Sequence, residues 1–462
     1  MLPHADSMGA SLSGRTMSAL TPVLALLLAS PAEAQWVEDS IDVGGAWVGD
    51  MVYNAESDVV YGCSNSGDFV FAISCATNQV VSQVAAFYAG GLAYSSTSRK
   101  LYCSFGYPGD SVLVVSGVTH QRLKAIPLSE ANQMVWDSVN NCVYVSRTDD
   151  DAVSVIDCAT DLVVDSIPTD YGPVNMHLNA LHHKLYVLNF DAESVTIVDL
   201  GSHEVTGTIP VMWPPQVGCY SAAVDKYYCG SGRQVTVVDG QADTVVRRLT
   251  IGSGAGATSM VAVDPHRVVM VGGCGGTSAE DTVFVIDAVA DTLVRALPTM
   301  SGPQGMCWSP LTDLVYVAAT FSDRLAVVEG DGSQVRRFFH VGEDPYVLLP
   351  VARHERLYVG HFASDMVYVV KDRAGGIEES ASGEVRRANW VATVVGDVLR
   401  LPGLAGHEPD APGGIGSCPC LLDATGRRVM ELAPGENDVA HLAPGVYFVR
   451  GAQGSSGKVV IP

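Results

Sequence analysis

A repeat of about 42 residues runs through most of this chain and constrains its fold more than any other feature. One landmark of the repeat is a strand with a Leu/Val-Tyr pair or a close variant, and a second is a large residue eight positions earlier in six units. The pairs are Val60-Tyr61, Leu101-Tyr102, Val143-Tyr144, Leu185-Tyr186, Tyr227-Tyr228, Val268-Val269, Val315-Tyr316 and Leu357-Tyr358. The large residues are Tyr53, Tyr94, Trp136, Leu178, Tyr220 and Trp308. Two landmarks with one period indicate repeated structural units.

Each unit has the pattern of four short strands. After the Tyr comes a polar turn and then an alternating β-branched run, as in Val153–Asp157 and Val195–Asp199. A fourth run follows in most units, for example Leu162–Ile167. Alternation with a period of two is typical of strands, and four antiparallel strands in about 42 residues are typical of one blade of a β-propeller.

The two ends of the repeat region indicate how the ring closes. The last unit supplies only three strands, near Tyr346–Leu349, Arg356–Gly360 and Met366–Lys371, whereas an additional strand lies near Trp36–Val43. We therefore expect the N-terminal strand to complete the last blade, which gives an all-β, eight-bladed β-propeller over residues 35–373. A seven-bladed ring is the alternative if one poorly matching unit, Val217–Ser259 or Met260–Gly305, is distorted.

The repeat resembles the YVTN family of β-propellers, in which Tyr-Val-Thr-Asn is followed by a turn and then Val-Ser-Val-Ile-Asp. The resemblance lies in Tyr144-Val145-Ser146-Arg147 with Val153–Asp157, in Gly172-Pro173, and in Tyr186-Val187-Leu188-Asn189 with Val195–Asp199. It covers residues 36–373. Family members commonly have seven blades, so a count of eight departs from the usual pattern.

The first 34 residues differ in character from the repeats. Arg15 is their only Lys or Arg, the stretch from Thr16 to Pro31 has no charge, and the apolar run Val23–Ala29 precedes Ala32-Glu33-Ala34. This pattern predicts a signal peptide over residues 1–34, cleaved after Ala34, and therefore an exported protein. No later run reaches about 18 apolar residues, so we expect no transmembrane span.

Eleven cysteines in an exported chain invite a disulfide framework, but their number is odd and their positions follow the repeat. Cys75 and Cys158 are equivalent, as are Cys219 and Cys307, so we expect most cysteines to be small buried side chains. Cys418 and Cys420 have the spacing most suggestive of metal or redox chemistry. Because no second pair accompanies them, a structural role is favoured over a metal site.

The charge balance excludes one class of partner. The chain has 27 Lys+Arg against 50 Asp+Glu, a formal net charge of −23. Such a chain repels phosphate backbones and anionic membranes, so we expect no nucleic-acid partner. The expected oligomeric state is a monomer.

The period stops after Lys371. Residues 374–389 are a small, polar, Gly-rich linker, and residues 390–462 have short runs of strand-like residues separated by turn signals. The runs are Val391–Leu401, Pro419–Asp423, Arg428–Leu432, Asp438–Leu442, Val446–Arg450 and Lys458–Ile461. A small C-terminal β-sandwich is expected here.

The end of this region resembles the type A C-terminal sorting domain (Por) of bacterial type IX secretion substrates. The motif residues are Gly426, Arg427, Gly445, Val446, Tyr447, Lys458, Val459, Val460 and Ile461. The resemblance implies recognition by the type IX translocon or sorting machinery, and hence a bacterial protein that is secreted or held at the outer membrane or cell surface. Family members usually end on a basic residue, whereas this chain ends at Pro462, which puts processing and surface attachment in doubt. A plain accessory sandwich is the alternative.

No catalytic motif is present, and we expect no catalytic residue, metal or cofactor. Thr148-Asp149-Asp150-Asp151 could bind calcium and His182-His183 could bind a metal, but both lie in predicted turns, where Asp caps its own backbone. A turn role is likewise expected for the residues that end the third strands, Asp157, Asp199, Asp239 and Asp287.

Propeller ligands usually bind in the axial funnel, which the innermost strands line. The polar residues expected there are Asn175, His177, Gln216, Gln304 and Asp344-Pro345. They can form hydrogen bonds, but no acid–base pair is evident among them. The first hypothesis is therefore a binding module for a protein, glycan or small molecule. The alternative is a propeller enzyme, lactonase-like or quinoprotein-like, and a lactonase would need His, Glu and Arg converging at the funnel mouth.

Overall fold

The computed structural model describes residues 35–105, 111–252, 256–275 and 281–373, and short segments between residues 393 and 461. The first four of these ranges, from residue 35 to residue 373, contain 32 strands, β1 to β32. In chain order they are Gln35–Asp42, Val48–Asn54, Val59–Ser64, Phe69–Ser74, Gln79–Ala85, Ala89–Ser95, Lys100–Phe105, Ser111–Ser116, Arg122–Pro127, Ala131–Asp137, Cys142–Arg147, Ala152–Asp157, Leu162–Pro168, Pro173–Asn179, Lys184–Asn189, Ser194–Asp199, Val205–Pro210, Pro215–Ser221, Lys226–Ser231, Gln234–Asp239, Val245–Thr250, Gly256–Val263, Val268–Cys274, Thr282–Asp287, Thr292–Pro298, Pro303–Ser309, Leu314–Ala319, Arg324–Glu329, Val335–His340, Pro345–Val351, Arg356–His361 and Met366–Asp372.

These strands form eight antiparallel sheets of four strands, so the propeller has eight blades, including both units that match the repeat poorly. Blades 1 to 7 are consecutive groups of four, from β2–β5 to β26–β29. Blade 8 has the order β1-β32-β31-β30, and β1 pairs with β32 from Gln35 opposite Asp372 to Asp42 opposite Met366. The first strand of the chain therefore closes the ring beside the last, as the two ends of the repeat region indicated.

The first strand of each blade contacts the first strands of both neighbouring blades, and β30 contacts β2. These eight strands are the inner wall of the ring, whereas the outermost strands are largely exposed, as in β13 with its exposed run Leu162–Ser166. Each outermost strand also has a register shift against its neighbour, for example between Val155 and Ile156 of β12. Such bulges twist exposed edges and make them poor templates for pairing with another chain.

The repeated Tyr of the second strand joins neighbouring blades. Seven of the largest fully buried side chains are this Tyr. Its hydroxyl reaches the turn between the third and fourth strands of the next blade: Tyr102 donates to Asp161 Oδ1 at 2.7 Å, and Tyr61 contacts His120 Nδ1 at 2.6 Å. The receiving turn residues have positive φ, which Asn, Asp and His tolerate best among non-glycine residues. One period therefore repeats both the strands and the bond between blades.

In blade 6 the position of the repeated Tyr lies one residue later than the sequence pattern predicts. In blade 6 the strand register places Met270, opposite Val285, where blade 5 has Tyr228, opposite Val237. Blade 6, whose second strand begins at Val268, therefore has Met270 at the Tyr position. Val269, which the sequence pattern placed there, is the residue before it. The shift arises because the unit has no Tyr to set the alignment.

The helices among the described residues are three single 3₁₀ turns, Asp264–His266, Thr320–Ser322 and Ala352–His354, and none has the length and hydropathy of a membrane span. The nine cysteines of residues 35–373 are all free, and six of them are buried. Cys75 and Cys158 each follow a third strand, and burial raises the pKa of both thiols, that of Cys158 to about 11.

The chain divides into two compact units, residues 1–377 and 378–462. In the second unit, strands β33 to β39 are Thr393–Val395, Val398–Leu401, Cys420–Leu422, Arg428–Glu431, Gly435–Asp438, Gly445–Arg450 and Ser456–Ile461. They form a three-stranded sheet, β33-β34-β37, and a four-stranded sheet, β36-β35-β38-β39. Of the run expected over Asp438–Leu442, Asp438 ends the strand Gly435–Asp438, and residues 439–442 lie outside the described residues. The signal peptide with Ala34, the whole linker over residues 374–389, Cys418, Gly426 and Arg427 lie outside the described residues.

Candidate functional site

The meander of each blade divides its connections between two ends of the ring. Links from the second to the third strand, and from the fourth strand to the next blade, lie at one end, which we call the aromatic face. Links from the first to the second strand, and from the third to the fourth, lie at the other end, the opposite face. The two ends carry different chemistry.

All seven of the most exposed aromatic side chains among the described residues lie in connections of the aromatic face. They are Trp47, Phe87, Tyr88, Tyr171, Trp213, Phe321 and Phe362, with exposed fractions from 41% to 69%. Some of them cluster: the rings of Trp47 and Phe362 lie 4.7 Å apart, and Phe362 also contacts Tyr346 at 6.0 Å. Exposed aromatic residues concentrated on one face indicate an interaction surface.

The same connections are strongly acidic. Their described residues include one basic residue, Arg233, and thirteen acidic ones: Asp68, Glu130, Asp149, Asp150, Asp151, Asp170, Asp191, Glu193, Asp281, Asp323, Glu343, Asp344 and Asp365. Arg147 pairs with Asp150. Five exposed carboxylates, those of Asp149, Asp191, Glu193, Glu343 and Asp365, form no ion pair with a cation of the described residues. This face therefore carries negative charge that its own side chains leave largely unbalanced.

On the opposite face, acidic residues are paired with cations of neighbouring blades. Lys100 Nζ lies 2.8 Å from Asp161, Lys184 Nζ 2.7 Å from Asp243, and His266 Nε2 2.6 Å from Asp313. His182 and His183, weighed above as metal ligands, belong to this set. His182 Nε2 contacts Asp225 Oδ2 at 2.8 Å in blade 5, and His183 Nε2 contacts Asp137 Oδ2 at 3.0 Å in blade 3. The two imidazole rings therefore contact carboxylates of different blades, one on each side of blade 4, and do not converge on one site.

These contacts predict a stability that falls in acid. The hydrogen bond from His203 lowers the pKa of Asp165; burial raises the pKa of Asp225, but hydrogen bonds from His182 and Tyr220 outweigh burial and lower it. A lowered folded-state pKa stabilises the fold above the usual Asp pKa of about 4, and this stability is lost as the pH falls from that value through the lowered folded-state pKa.

The melting temperature should therefore depend less steeply on pH between about pH 5 and pH 3 in the double variant His182→Gln/His203→Gln than in the wild type. Thermal unfolding followed by circular dichroism measures the slope. Equal slopes for the two proteins would contradict the role of these pairs.

One group of potential metal ligands occurs at the junction of blades 8 and 1. Single ligand atoms of Asp58, Cys75 and His354 lie within 4.8 Å of one another. His354 Nε2 contacts Asp58 Oδ1 at 2.7 Å, and Tyr53 donates to the same oxygen at 2.7 Å. His182–Asp225 with Tyr220 repeats this arrangement between blades 4 and 5 without a cysteine. The group therefore belongs to the contact that the repeat forms between neighbouring blades. Burial raises the pKa of Cys75.

The polar residues expected in the axial funnel do not form one cluster. Asn175 and His177 lie on β14, Gln216 on β18, Gln304 on β26 and Pro345 on β30, with Asp344 just before it. Of these, Asn175 and Gln216 meet, because Asn175 Nδ2 donates to the Gln216 carbonyl at 3.3 Å. His177 Nδ1 contacts the hydroxyl of Tyr227 at 3.2 Å, and burial lowers the pKa of His177 to about 4, which keeps the ring neutral at pH 7.

The eight inner strands contain one His, two Asp and no Glu or Arg, so they do not supply the His–Glu–Arg set of a lactonase-like site. One of the two carboxylates, Asp50, accepts hydrogen bonds from the backbone N–H groups of Met51 and Leu92, and burial raises its pKa to about 6. A cavity of about 530 Å³ lies at the opposite-face ends of three inner strands. It is lined by Tyr53, Tyr94 and Trp136, the large landmark residues of blades 1 to 3.

The predicted turn roles are confirmed. Asp157, Asp199, Asp239 and Asp287 each accept a hydrogen bond from the backbone N–H two residues later, at 2.8 to 3.0 Å. Thr148–Asp151 is the turn between β11 and β12, and Asp151 there has a φ of 49°. In the second unit, Gly445, Val446 and Tyr447 lie on β38, and Lys458 to Ile461 lie on the adjacent strand β39.

The aromatic face itself was missed by the sequence reasoning. Its signal is present, because Trp47, Tyr88 and Trp213 each lie just before the first strand of a blade. Aligning the connections, as well as the strands, would have found it.

The fold and its two faces define the class of this protein: it is an eight-bladed β-propeller. Among solved structures, it is similar to the computationally designed Ika8 protein, with a TM-score of 0.58 and 14% identity over 71% of this chain and 98% of that one. It is also similar to a chain of a Mitotic Checkpoint Complex, with a TM-score of 0.52 and 11% identity over 79% and 99%, and to Kuenenia stuttgartiensis hydrazine synthase, with 0.50 and 14% over 71% and 96%. At these identities the likeness concerns the fold alone.

No protein-family model and no curated protein matches the chain.

Proposed function

We propose that this protein is a secreted or cell-surface binding module that holds its partner on the aromatic face of the propeller. The observation that carries the proposal is that, among the residues the structure describes, the seven highly exposed aromatic side chains all lie at one end of the propeller. Aromatic residues are enriched among the side chains that dominate binding energy at protein interfaces. The inner strands instead bury or engage most of their polar groups, which favours binding over catalysis.

The proposal is tested by comparing two variants of the full chain. The first replaces Trp47, Phe87, Trp213 and Phe321 of the aromatic face by Ala, and the second replaces the equally exposed Val139, Leu181, Val289 and Leu311 of the opposite face. Each is used to capture partners from a surface extract of the source cells, and the captured complex is mapped by hydroxyl-radical footprinting.

We expect the first variant to lose at least about 90% of the captured partner, since removing aromatic anchors typically costs 2 kcal/mol or more. The second variant should capture as much as the wild type, with footprint protection confined to the aromatic face. Equal capture by both variants would refute the proposal.

Export through the type IX route is the second part of the proposal. It is supported by the signal-peptide pattern ending at Ala34 and by the C-terminal motif. Strands β38 and β39 pair antiparallel, with Val446 opposite Val460 and Tyr447 opposite Val459, so that the Gly-Val-Tyr and Lys-Val-Val-Ile segments are neighbours. In this proposal the second unit, whose described residues include two small sheets, serves as the sorting domain.

Deleting Ile377–Pro462 should leave the propeller folded and abolish surface delivery, because the recognition segment is lost while all eight four-stranded sheets remain. Cell fractionation and immunoblotting measure the delivery, and circular dichroism of the retained protein reports its folding. A full-length protein with Asp365→Asn serves as a control that should be delivered normally. Normal delivery of the truncated chain would contradict the sorting role.

A further inference from the structure

Tyr171 lies in a part of the aromatic face where three connections meet. It is the most exposed aromatic side chain of the described residues, at 69%. Its carbonyl accepts from Ala192 N at 3.1 Å, and the N–H of the next residue, Gly172, donates to Asp151 Oδ1 at 2.9 Å. Tyr171 is thus held between residues 148–151 and 190–193, and its ring stacks on no other aromatic ring of the described residues.

The carboxylates around Tyr171 divide into engaged and unengaged groups. Asp150 pairs with Arg147, Asp151 caps Gly172, and Asp170 accepts from Ser194 Oγ at 2.7 Å. The exposed carboxylates of Asp149, Asp191 and Glu193 have no cationic partner among the described residues. Asp191 packs closely against Gly172, the residue after Tyr171. A Cβ atom added at Gly172 would lie only 2.6 Å from Asp191 Oδ2.

An exposed aromatic ring beside unbalanced carboxylates is complementary to a group that is cationic, planar and rich in hydrogen-bond donors. The guanidinium of Arg has these properties, since it stacks on aromatic rings, pairs with carboxylates through two N–H groups and accepts no hydrogen bond.

We infer that Tyr171, with Asp149, Asp191 and Glu193, forms the docking site for an arginine-rich segment of a partner protein. This inference rests on the proposed function and names the chemistry of the partner. The guanidinium stacks on the Tyr171 ring while the three carboxylates receive its N–H groups and attract neighbouring arginines.

The probe is a fluorescein-labelled peptide in which four arginines alternate with Gly and Ser, and its binding to the full chain is measured by fluorescence anisotropy at about 0.15 M salt. Two matched peptides replace arginine by lysine or by uncharged citrulline. We expect the arginine peptide to bind best and the citrulline peptide not to bind.

Among the variants, Tyr171→Ala should weaken binding about fivefold, and Tyr171→Phe, which keeps the ring, less than about twofold. Asp149→Asn/Asp191→Asn/Glu193→Gln should weaken it about tenfold or more. The matched control, Glu56→Gln/Glu204→Gln/Asp331→Asn, removes the same charge from exposed residues of the opposite face and should change binding less than about twofold.

Equal weakening by the two triple variants would show general attraction to an acidic protein and would overturn the inference, as would equal binding of the arginine and citrulline peptides. Neither result would contradict the proposed function if the variant with Trp47, Phe87, Trp213 and Phe321 replaced by Ala still fails to capture the partner. Unchanged capture by that variant is what refutes the proposed function itself.

Discussion

Deletion of the N-terminal strand, residues 35–44, is expected to lower the free energy of unfolding of the propeller by 5 kcal/mol or more, on the order of the whole stability of many domains. The deletion removes the outer partner of β32 along its length. It also removes Ile41 and Val43, which are buried with Val60 and Ile73 of blade 1. Each such side chain contributes about 1.5–3 kcal/mol by burial, in addition to the lost hydrogen bonds.

Polar contacts across the closure disappear with the same strand. Arg356 of β31 pairs with Glu38 through Nε at 2.6 Å and also donates to the carbonyl of Cys75 in blade 1. Gln83 Nε2 of blade 1 donates to the Val43 carbonyl at 2.7 Å. Without β1, blades 8 and 1 lose contacts that hold the ring closed.

Thermal and urea unfolding, followed by circular dichroism, measure the effect of this deletion. Ser40→Ala, a change at an exposed position of the same strand, is the control and should alter stability by less than about 0.5 kcal/mol. A synthetic peptide of residues 35–44, added in trans, should restore part of the lost melting temperature because it binds only the folded ring. An unchanged melting temperature in the deletion would refute closure by β1.

The second large effect is expected at Asp372, the last residue of β32. Its side chain is 1% exposed and accepts hydrogen bonds from three hydroxyls of blade 7. Tyr316 donates at 2.6 Å and Thr312 at 2.7 Å to Oδ1, and Ser309 donates to Oδ2. Asp372→Ala leaves all three hydroxyls without their acceptor, so we expect a loss on the order of 3 kcal/mol or more.

Two further variants separate this network from a simple loss of volume. Asp372→Asn keeps one carbonyl oxygen at the same place and should cost less than Asp372→Ala. Tyr316→Phe removes one hydroxyl and should cost about 1 kcal/mol. Urea midpoints at constant m-value provide the comparison, with exposed Asp365→Ala as the neutral control. Equal costs for Ala and Asn at position 372 would contradict the acceptor role.

The strand pattern of the propeller was readable because its physical basis is local. Alternation in Val153–Asp157 and Val195–Asp199 predicts strands, and both segments lie in strands, β12 and β16. The missing fourth strand of the last unit and the extra strand near Trp36–Val43 predicted the pairing of β1 with β32 by counting alone. The prediction failed locally at Val269, where the substitution of Met270 for Tyr removed the landmark.

The candidate site was harder to predict from the sequence, because it depends on which end of the propeller each connection occupies. The residues proposed for the axial funnel lie on four separate inner strands, and only Asn175 and Gln216 meet. Tyr171 and Asp191 are 20 residues apart and belong to different connections, yet packing of Asp191 against Gly172 brings them together. The repeat pattern of the sequence does not indicate that Tyr171 and Asp191 lie close together.

The sequence by itself determined the all-β class, the four-strand unit and the complementary chain ends, since periodic side-chain patterns and turn residues act over a few neighbouring positions. Only the tertiary structure decided that the repeated Tyr binds the next blade, that Asp372 gathers three hydroxyls, and that exposed aromatic rings and unpaired carboxylates share one face. These properties arise from contacts between residues of different blades, whose spacing depends on how the blades pack around the ring.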